Sequence, residues 1–450
     1  MTAPLEYPVV AQELPRDYGR ATFRRLFGRR HFARNVAVLS LGTALAQAFS
    51  IAVAPVITRL YTPRNLAHLV IFTSFLNVAS VAASLKFELG IISAADEFEA
   101  AQLSYASVWL TVPVTLVSVT CLYAAMRLRW FGLGDLPWYA PPLMVPALLL
   151  TGIFAALRYW FIRKEQFQIV SRTYVGQHGA RALSQVLFGL LGSTSAGLLA
   201  GEILGRVVGM TALYRKAWPS IREQIARLSM RKIVATLKHH RKLAVYSMPS
   251  SLIDTLAANI TVPLLVQLYG THMGGEFALV QRVLAVPLAL ISSSVAEAFH
   301  SRLAVCVRQD NGELKPLFWR TSAALLLIGA APTAVLLLFG PTLFALVFGQ
   351  GWHLAGVLAA IYAPWFLAQF VVSPLSRLVF VLRGQEEKLI YDVLLLLSIF
   401  LVYAVALHQH LTVIQTVWAL MLVNTFAYVV YYCVLVWVLM THPLSRDVMD

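Results

Sequence analysis

A dozen apolar runs, each about as long as a bilayer core is thick, constrain this chain more than any other feature. A hydrocarbon core about 30 Å thick takes about 20 helical residues to cross. Backbone groups in lipid must pair within their own segment or sheet, so runs of this kind are helices. Spans are read near 36–57, 66–86, 103–126, 138–162, 173–192, 194–214, 243–268, 275–299, 317–339, 354–382, 389–407 and 413–440. The composition agrees: 59% of residues are hydrophobic and 13% charged, against roughly a quarter charged in soluble domains. The net charge of +15 would suggest nucleic acid in a soluble chain. In a chain of apolar runs it reads as membrane topology, and no nucleic acid partner is expected.

The positive charge is unevenly placed. Arg16, Arg20, Arg24, Arg25, Arg29, Arg30 and Arg34 precede the first run, and the segment after the sixth holds nine Lys and Arg between Arg215 and Lys242. Alternate loops carry Arg158, Arg163, Lys164 and Arg172, then Arg302, Arg308 and Lys315, then Arg377, Arg383 and Lys388. The opposite loops hold only Arg59, Arg64, Arg127 and Arg129. Basic loops stay cytoplasmic, so both termini and the central connector are expected there, with an even number of spans. The resulting organisation is a basic N-terminal segment (1–35), a six-helix half (36–214), a basic connector (215–242), a second six-helix half (243–440) and a tail (441–450). The stretch 16–34, with Phe23, Leu26, Phe27 and Phe32 among its arginines, reads as a topology anchor or an interfacial helix. A faint repeat supports two halves: Pro55 to Tyr61 and Pro263 to Tyr269 end spans one and seven alike, nearly half the chain apart. Duplicated halves are common in transporters.

Polar residues inside the spans carry the functional signal, because a charge at mid-bilayer costs about 2.5–3.5 kcal/mol on insertion scales. Span one puts Ser40, Thr43, Gln47 and Ser50 on one face, and span two Asn77, Ser80, Ser84 and Glu88. Span five carries Gln177, His178, Arg181 and Gln185, and span six Glu202 and Arg206. Span seven carries Ser247, Ser251 and Asp254, and span eight Arg282 and Glu297. Single serines and threonines serve helix packing, and Glu202–Arg206 fits a local ion pair as well as a cavity. Arg282 has no acidic residue three or four positions away. A cavity lined by Arg181, Arg206 and Arg282, with Gln47 and Asn77, would attract an anionic headgroup. The planar guanidinium fork suits a diphosphate in particular. Asp254, Glu202 and Glu88 are the acidic candidates for ion coupling. The stretch Glu88, Asp96, Glu97 and Glu99 reads as a solvated loop.

Enzyme chemistry finds no foothold. The sequence lacks a G-x-x-x-x-G-K-[ST] nucleotide loop, an H-E-x-x-H helix and a G-x-S-x-G elbow. Cys121, Cys306 and Cys433 lack metal-ligand spacing. No cofactor and no resident metal is expected.

Several short motifs resemble the oligosaccharide flippase branch of the polysaccharide biosynthesis family, within the multidrug/oligosaccharidyl-lipid/polysaccharide exporter superfamily. Leu41 to Pro63 is similar to its first helix, ending in P-x-x-T-R-x-Y-T-P. Phe87 to Ile92, Tyr246 to Leu256, Gly275 to Pro287, Phe348 to Trp352 and Ser373 to Arg377 are similar to its later signatures, in order. After Pro63 this chain has Arg64-Asn65-Leu66-Ala67 where the family is commonly acidic then Gly. The resemblance implies an all-α polytopic protein of about twelve spans in two six-helix bundles around a central cavity, working by alternating access. It also implies a cavity role for Arg59 and Arg282, and an undecaprenyl-diphosphate-linked glycan as cargo.

The expected function is therefore translocation of that lipid-linked oligosaccharide across a bacterial inner membrane. H+ or Na+ would be the coupling ion, membrane lipids the surroundings, and polymerase and export machinery the neighbours. An ion-coupled exporter of small amphipathic compounds ranks second, since acidic residues are few beside the arginines. A membrane polysaccharide polymerase ranks third, for want of a large external loop or an acid cluster.

Overall fold

The structure, a computed structural model, describes residues 42, 47–225, 229–292, a few positions between 295 and 306, 313–382 and 386–441. The N-terminal segment, the first half of span one with Ser40 and Thr43, Glu297, Arg308 and the tail lie outside the described residues.

The described chain is helical throughout. Helix α1 (Gln47–Leu60) leads into α2 (Pro63–Ala82), a short α3 (Phe87–Ser93), α4 (Glu97–Arg127) and α5 (Ala140–Arg163). Then come α6 (Phe167–Leu190), α7 (Ser195–Ile225) and the connector helix α8 (Met230–His239). The second half has α9 (Met248–Asn259), α10 (Thr261–Pro287), α11 (Leu314–Phe348), α12 (His353–Leu375), α13 (Arg377–Leu382), α14 (Glu386–His408) and α15 (Val413–Thr441). Among the described residues, nine helical stretches are long and apolar enough to cross a membrane. One of these, Leu243–Ala285, turns back on itself at Gly270, whose φ of 81° breaks α10 into the end of one crossing and the start of the next. The polar α6 and the short α1 complete a twelve-helix polytopic fold.

Two expectations about loops need correction. Arg158 is not a loop residue: it lies within α5, half-buried, and donates from Nη1 to Tyr174 Oη at 2.7 Å. Glu88 does not sit in a solvated loop either. Leu85 and Lys86 take positive φ values of 50° and 64° and end α2, and Glu88 then opens α3, buried and hydrogen-bonded to Ser84. A hydropathy window does not register so short a break in the helix, so span two reads as running on to residue 86.

One set of close contacts between the two chain halves lies at one end, called here the sealed end. A Cβ on Gly275 would lie 1.9 Å from the Pro63 carbonyl oxygen, so only glycine lets α10 press this closely on α2. Trp352 Nε1 donates to Thr58 O at 3.0 Å, and Gly132 N to Gln267 Oε1 at 2.7 Å. Glu276, fully buried, accepts from Ala355 N at 2.9 Å and so satisfies one of the N–H groups left without a helical partner at the start of α12. The two tyrosines of the faint repeat do equivalent work. Tyr61 Oη donates to Gln185 O in the α6–α7 hairpin, and Tyr269 Oη to Leu411 O in the α14–α15 hairpin, both at 2.8 Å. At the other end α8 is held on α4: Thr236 donates to Gln102 at 2.6 Å, and His240 Nε2 lies 2.9 Å from Glu99 Oε1.

Candidate functional site

The site begins with how α6 and α7 pack. Gly197, Gly201, Gly205 and Gly209 recur every fourth residue and form a stripe along α7. A Cβ on Gly205 would stand 2.7 Å from Arg181 Cβ and 2.8 Å from Gln177 O. Small residues at this spacing let helix backbones approach closely in lipid. The close approach brings polar residues of α6 level with those of α7.

Glu202 is the hub. Its Oε1 accepts from Arg206 Nη1 at 2.5 Å and pairs with Arg181 Nη1 at 3.4 Å. Arg206 also donates from Nη1 to the Glu202 carbonyl at 3.0 Å and from Nε to Thr151 Oγ1 on α5 at 3.0 Å. Arg181 Nη2 donates to Ser50 Oγ on α1 at 3.1 Å and lies 2.8 Å from His178 Nδ1. Arg282, from α10 in the other half, donates from Nη2 to Ser50 O at 3.4 Å. One carboxylate among three guanidiniums leaves the cluster formally positive.

Glu202 and the three arginines line a cavity of about 370 Å3 bounded by α2, α6, α7 and α10, with Asn77, Gln185 and Gln281 completing its polar wall. Three arginines and one glutamate give the lining a formal excess of two positive charges. Arg206 also borders a second cavity of about 300 Å3, which holds Glu88, Arg158, Tyr174 and Lys86. A third, of about 330 Å3, lies between α9, α12, α14 and α15 and holds Asp254 and Asp392.

Of the residues singled out from sequence, Arg181, Arg206, Arg282, Asn77 and Glu202 meet in one cavity. Glu88 and Asp254 face the other two. Arg59 is exposed one residue before α1 ends and does not line the arginine cavity. The motif it shares with the family places it at the chain reversal of the sealed end instead. Gln47 is half-buried in the first turn of α1 and is likewise outside that lining. Asn77 bridges the halves, donating to Asn259 Oδ1 at 3.0 Å. Sequence reasoning missed Thr151, Gln281 and Glu276. For Glu276 the signal was present, as an acidic residue inside an apolar run.

The fold matches solved transporters. It is similar to an inward-facing multidrug resistance MATE family transporter of the MOP superfamily, with TM-score 0.66, 17% identity, and coverage of 90% of this chain and 99% of that one. It is similar to the lipid II flippase MurJ in an inward closed conformation, with TM-score 0.68, 13% identity, and coverage of 91% and 88%. It is also similar to a MOP superfamily transporter from Pyrococcus furiosus described as having a binding pocket of reverse polarity, with TM-score 0.52, 14% identity, and coverage of 90% and 95%. Identities this low speak for the fold alone. No curated protein matches the sequence. A family model described as polysaccharide biosynthesis protein matches residues 56–356, well over half of the 450. On that match the chain belongs to the polysaccharide biosynthesis protein family.

Proposed function

We propose that this protein flips an undecaprenyl-diphosphate-linked oligosaccharide across a bacterial inner membrane for surface polysaccharide export. The observation that carries the reading is the convergence of Arg181, Arg206 and Arg282 from three helices on one cavity with a single carboxylate. Guanidinium forks bind diphosphate oxygens in pairs, and a site out of bulk water strengthens each contact. Membership of a polysaccharide biosynthesis family and a fold shared with a lipid II flippase support the same cargo class.

The two six-helix halves, 36–214 and 243–440, rock about the cavity in alternating access. The basic connector 215–242 and both termini face the cytoplasm, which makes the sealed end periplasmic. The state described is then closed outward. H+ or Na+ supplies the driving force. Among the acidic residues, Asp254 is the coupling site most open to its cavity. Glu202 and Glu88 are buried.

Deletion of the gene should leave the complete repeat unit on its lipid carrier at the cytoplasmic face, with the surface polymer lost, as read by mass spectrometry of extracted lipids. Arg282→Ala in trans should fail to restore the polymer while reaching normal membrane levels. Arg282→Lys should restore it only in part, because an ammonium has no planar fork. Full export by Arg282→Ala would end the case for phosphate binding. Repeats stranded at the periplasmic face of the deletion strain would point to a polymerase.

A further inference from the structure

We propose that the cavity between α9, α12, α14 and α15 is a subsite for the sugar rings of the cargo, working beside the arginine cavity that takes the diphosphate. The inference rests on the flippase reading. Gln281 lines both cavities, and its neighbour Arg282 belongs to the arginine cluster, so one elongated molecule spans the two.

The two cavities have opposite chemistry. The arginine side is positive, whereas this side carries Asp254 and Asp392 and, among the described residues, no basic residue in its lining. A diphosphate is therefore held at one end and repelled from the other, which orients the molecule.

The walls suit a saccharide. Trp365 lies 4.6 Å from Tyr362 between ring centres, and Tyr391 stacks on Tyr431 at 4.5 Å with 21° between planes. Trp365 and Tyr391, both half-buried, bring ring surface to the cavity of the kind that takes the C–H face of a pyranose. Two amide oxygens then supply direction. Asn424 Nδ2 donates to Tyr362 Oη at 2.9 Å, and among the described residues neither Asn424 Oδ1 nor Gln369 Oε1, both buried, has a donor. Buried acceptors of this kind require a donor, and sugar hydroxyls carry donors in abundance. At about 330 Å3 the space lies within the range of ordinary small-molecule pockets. An organic cation would meet the carboxylates and rings, but a quaternary one offers nothing to the amide oxygens and is repelled by the arginines next door.

The test uses the full-length protein in lipid nanodiscs and three probes: undecaprenyl diphosphate, the lipid-linked glycan extracted from the deletion strain, and tetraphenylphosphonium. The wild type should hold the glycan-bearing lipid about tenfold tighter, equivalent to about 1.4 kcal/mol. Trp365→Ala, Gln369→Leu and Asn424→Leu should remove that preference yet keep the affinity for undecaprenyl diphosphate, which doubles as the check on folding. Trp365→Phe should retain part of it, and Arg282→Ala should weaken binding of both lipids alike. No preference in the wild type, or an undiminished preference in the three variants, would overturn the subsite and leave the flippase standing. Binding of neither lipid by the wild type would overturn both. Tetraphenylphosphonium held through Trp365 and Asp254, without any glycan preference, would make the cavity a cation site.

Discussion

Glu202 decides how positive the arginine cavity is. With two guanidiniums on one carboxylate, the cluster is neither a closed ion pair nor three free cations, and it can hold an anion without binding it irreversibly. Glu202→Gln should keep the shape and hydrogen bonds while adding one unit of positive charge. We expect undecaprenyl diphosphate to bind tighter and export to slow, because release becomes the difficult step. Breaking a fully buried pair costs about 3–5 kcal/mol. Here the Arg181 side chain is 24% exposed, so the loss of stability should be smaller. Binding affinity and export rate that both match the wild type would show that Glu202 does not set the cavity's charge. Its role follows from ordinary pairing rules, but its second partner, Arg181, is 21 residues away along the chain.

At the scale of elements, the glycine stripe of α7 holds the site together, although no glycine touches substrate in this scheme. Gly205→Leu would drive a side chain into Arg181 and Gln177. Overpacking of this kind costs about 1–3 kcal/mol, and it would also pull Glu202 away from Arg181. Thermal unfolding in detergent should show the loss, with export reduced. Gly176→Ala on α6 meets nothing within 4 Å and should leave both unchanged. Equal stability for the two variants would mean that α6 and α7 do not pack through this stripe. The four-residue spacing is plain in the sequence. Small residues carry no insertion cost, so they do not stand out beside the polar ones that they bring together.

For the whole molecule, transport requires the contacts between halves to break and re-form. Asn77 and Asn259 face each other across the halves at 3.0 Å. A double variant, Asn77→Cys with Asn259→Cys, should be bridged by a short bifunctional methanethiosulfonate and stop export, and a reductant that cleaves the bridge should restore it. Export that continues in the cross-linked protein would mean that the halves do not separate here during the cycle. The Gly275–Pro63 contact makes the same demand of the sealed end, since backbones packed this closely must part before cargo leaves that way.

Insertion into a bilayer is judged helix by helix, from local hydropathy and charge, and so the sequence alone determined the all-α class, the approximate spans and the three costly arginines. The cluster Arg181, Arg206 and Arg282 was legible for that reason: an intramembrane charge stands out before its partners are known. Membership of a cavity depends on helix rotation and on neighbours far along the chain, which no local pattern encodes. Only the tertiary structure therefore moved Arg59 out of the arginine cavity, drew Arg158 and Glu88 into the helices, and set Glu276 against the start of α12. The same holds for the acid and aromatic cavity, whose Asp254, Trp365, Asp392 and Asn424 come from four helices and face one space only once those helices have packed.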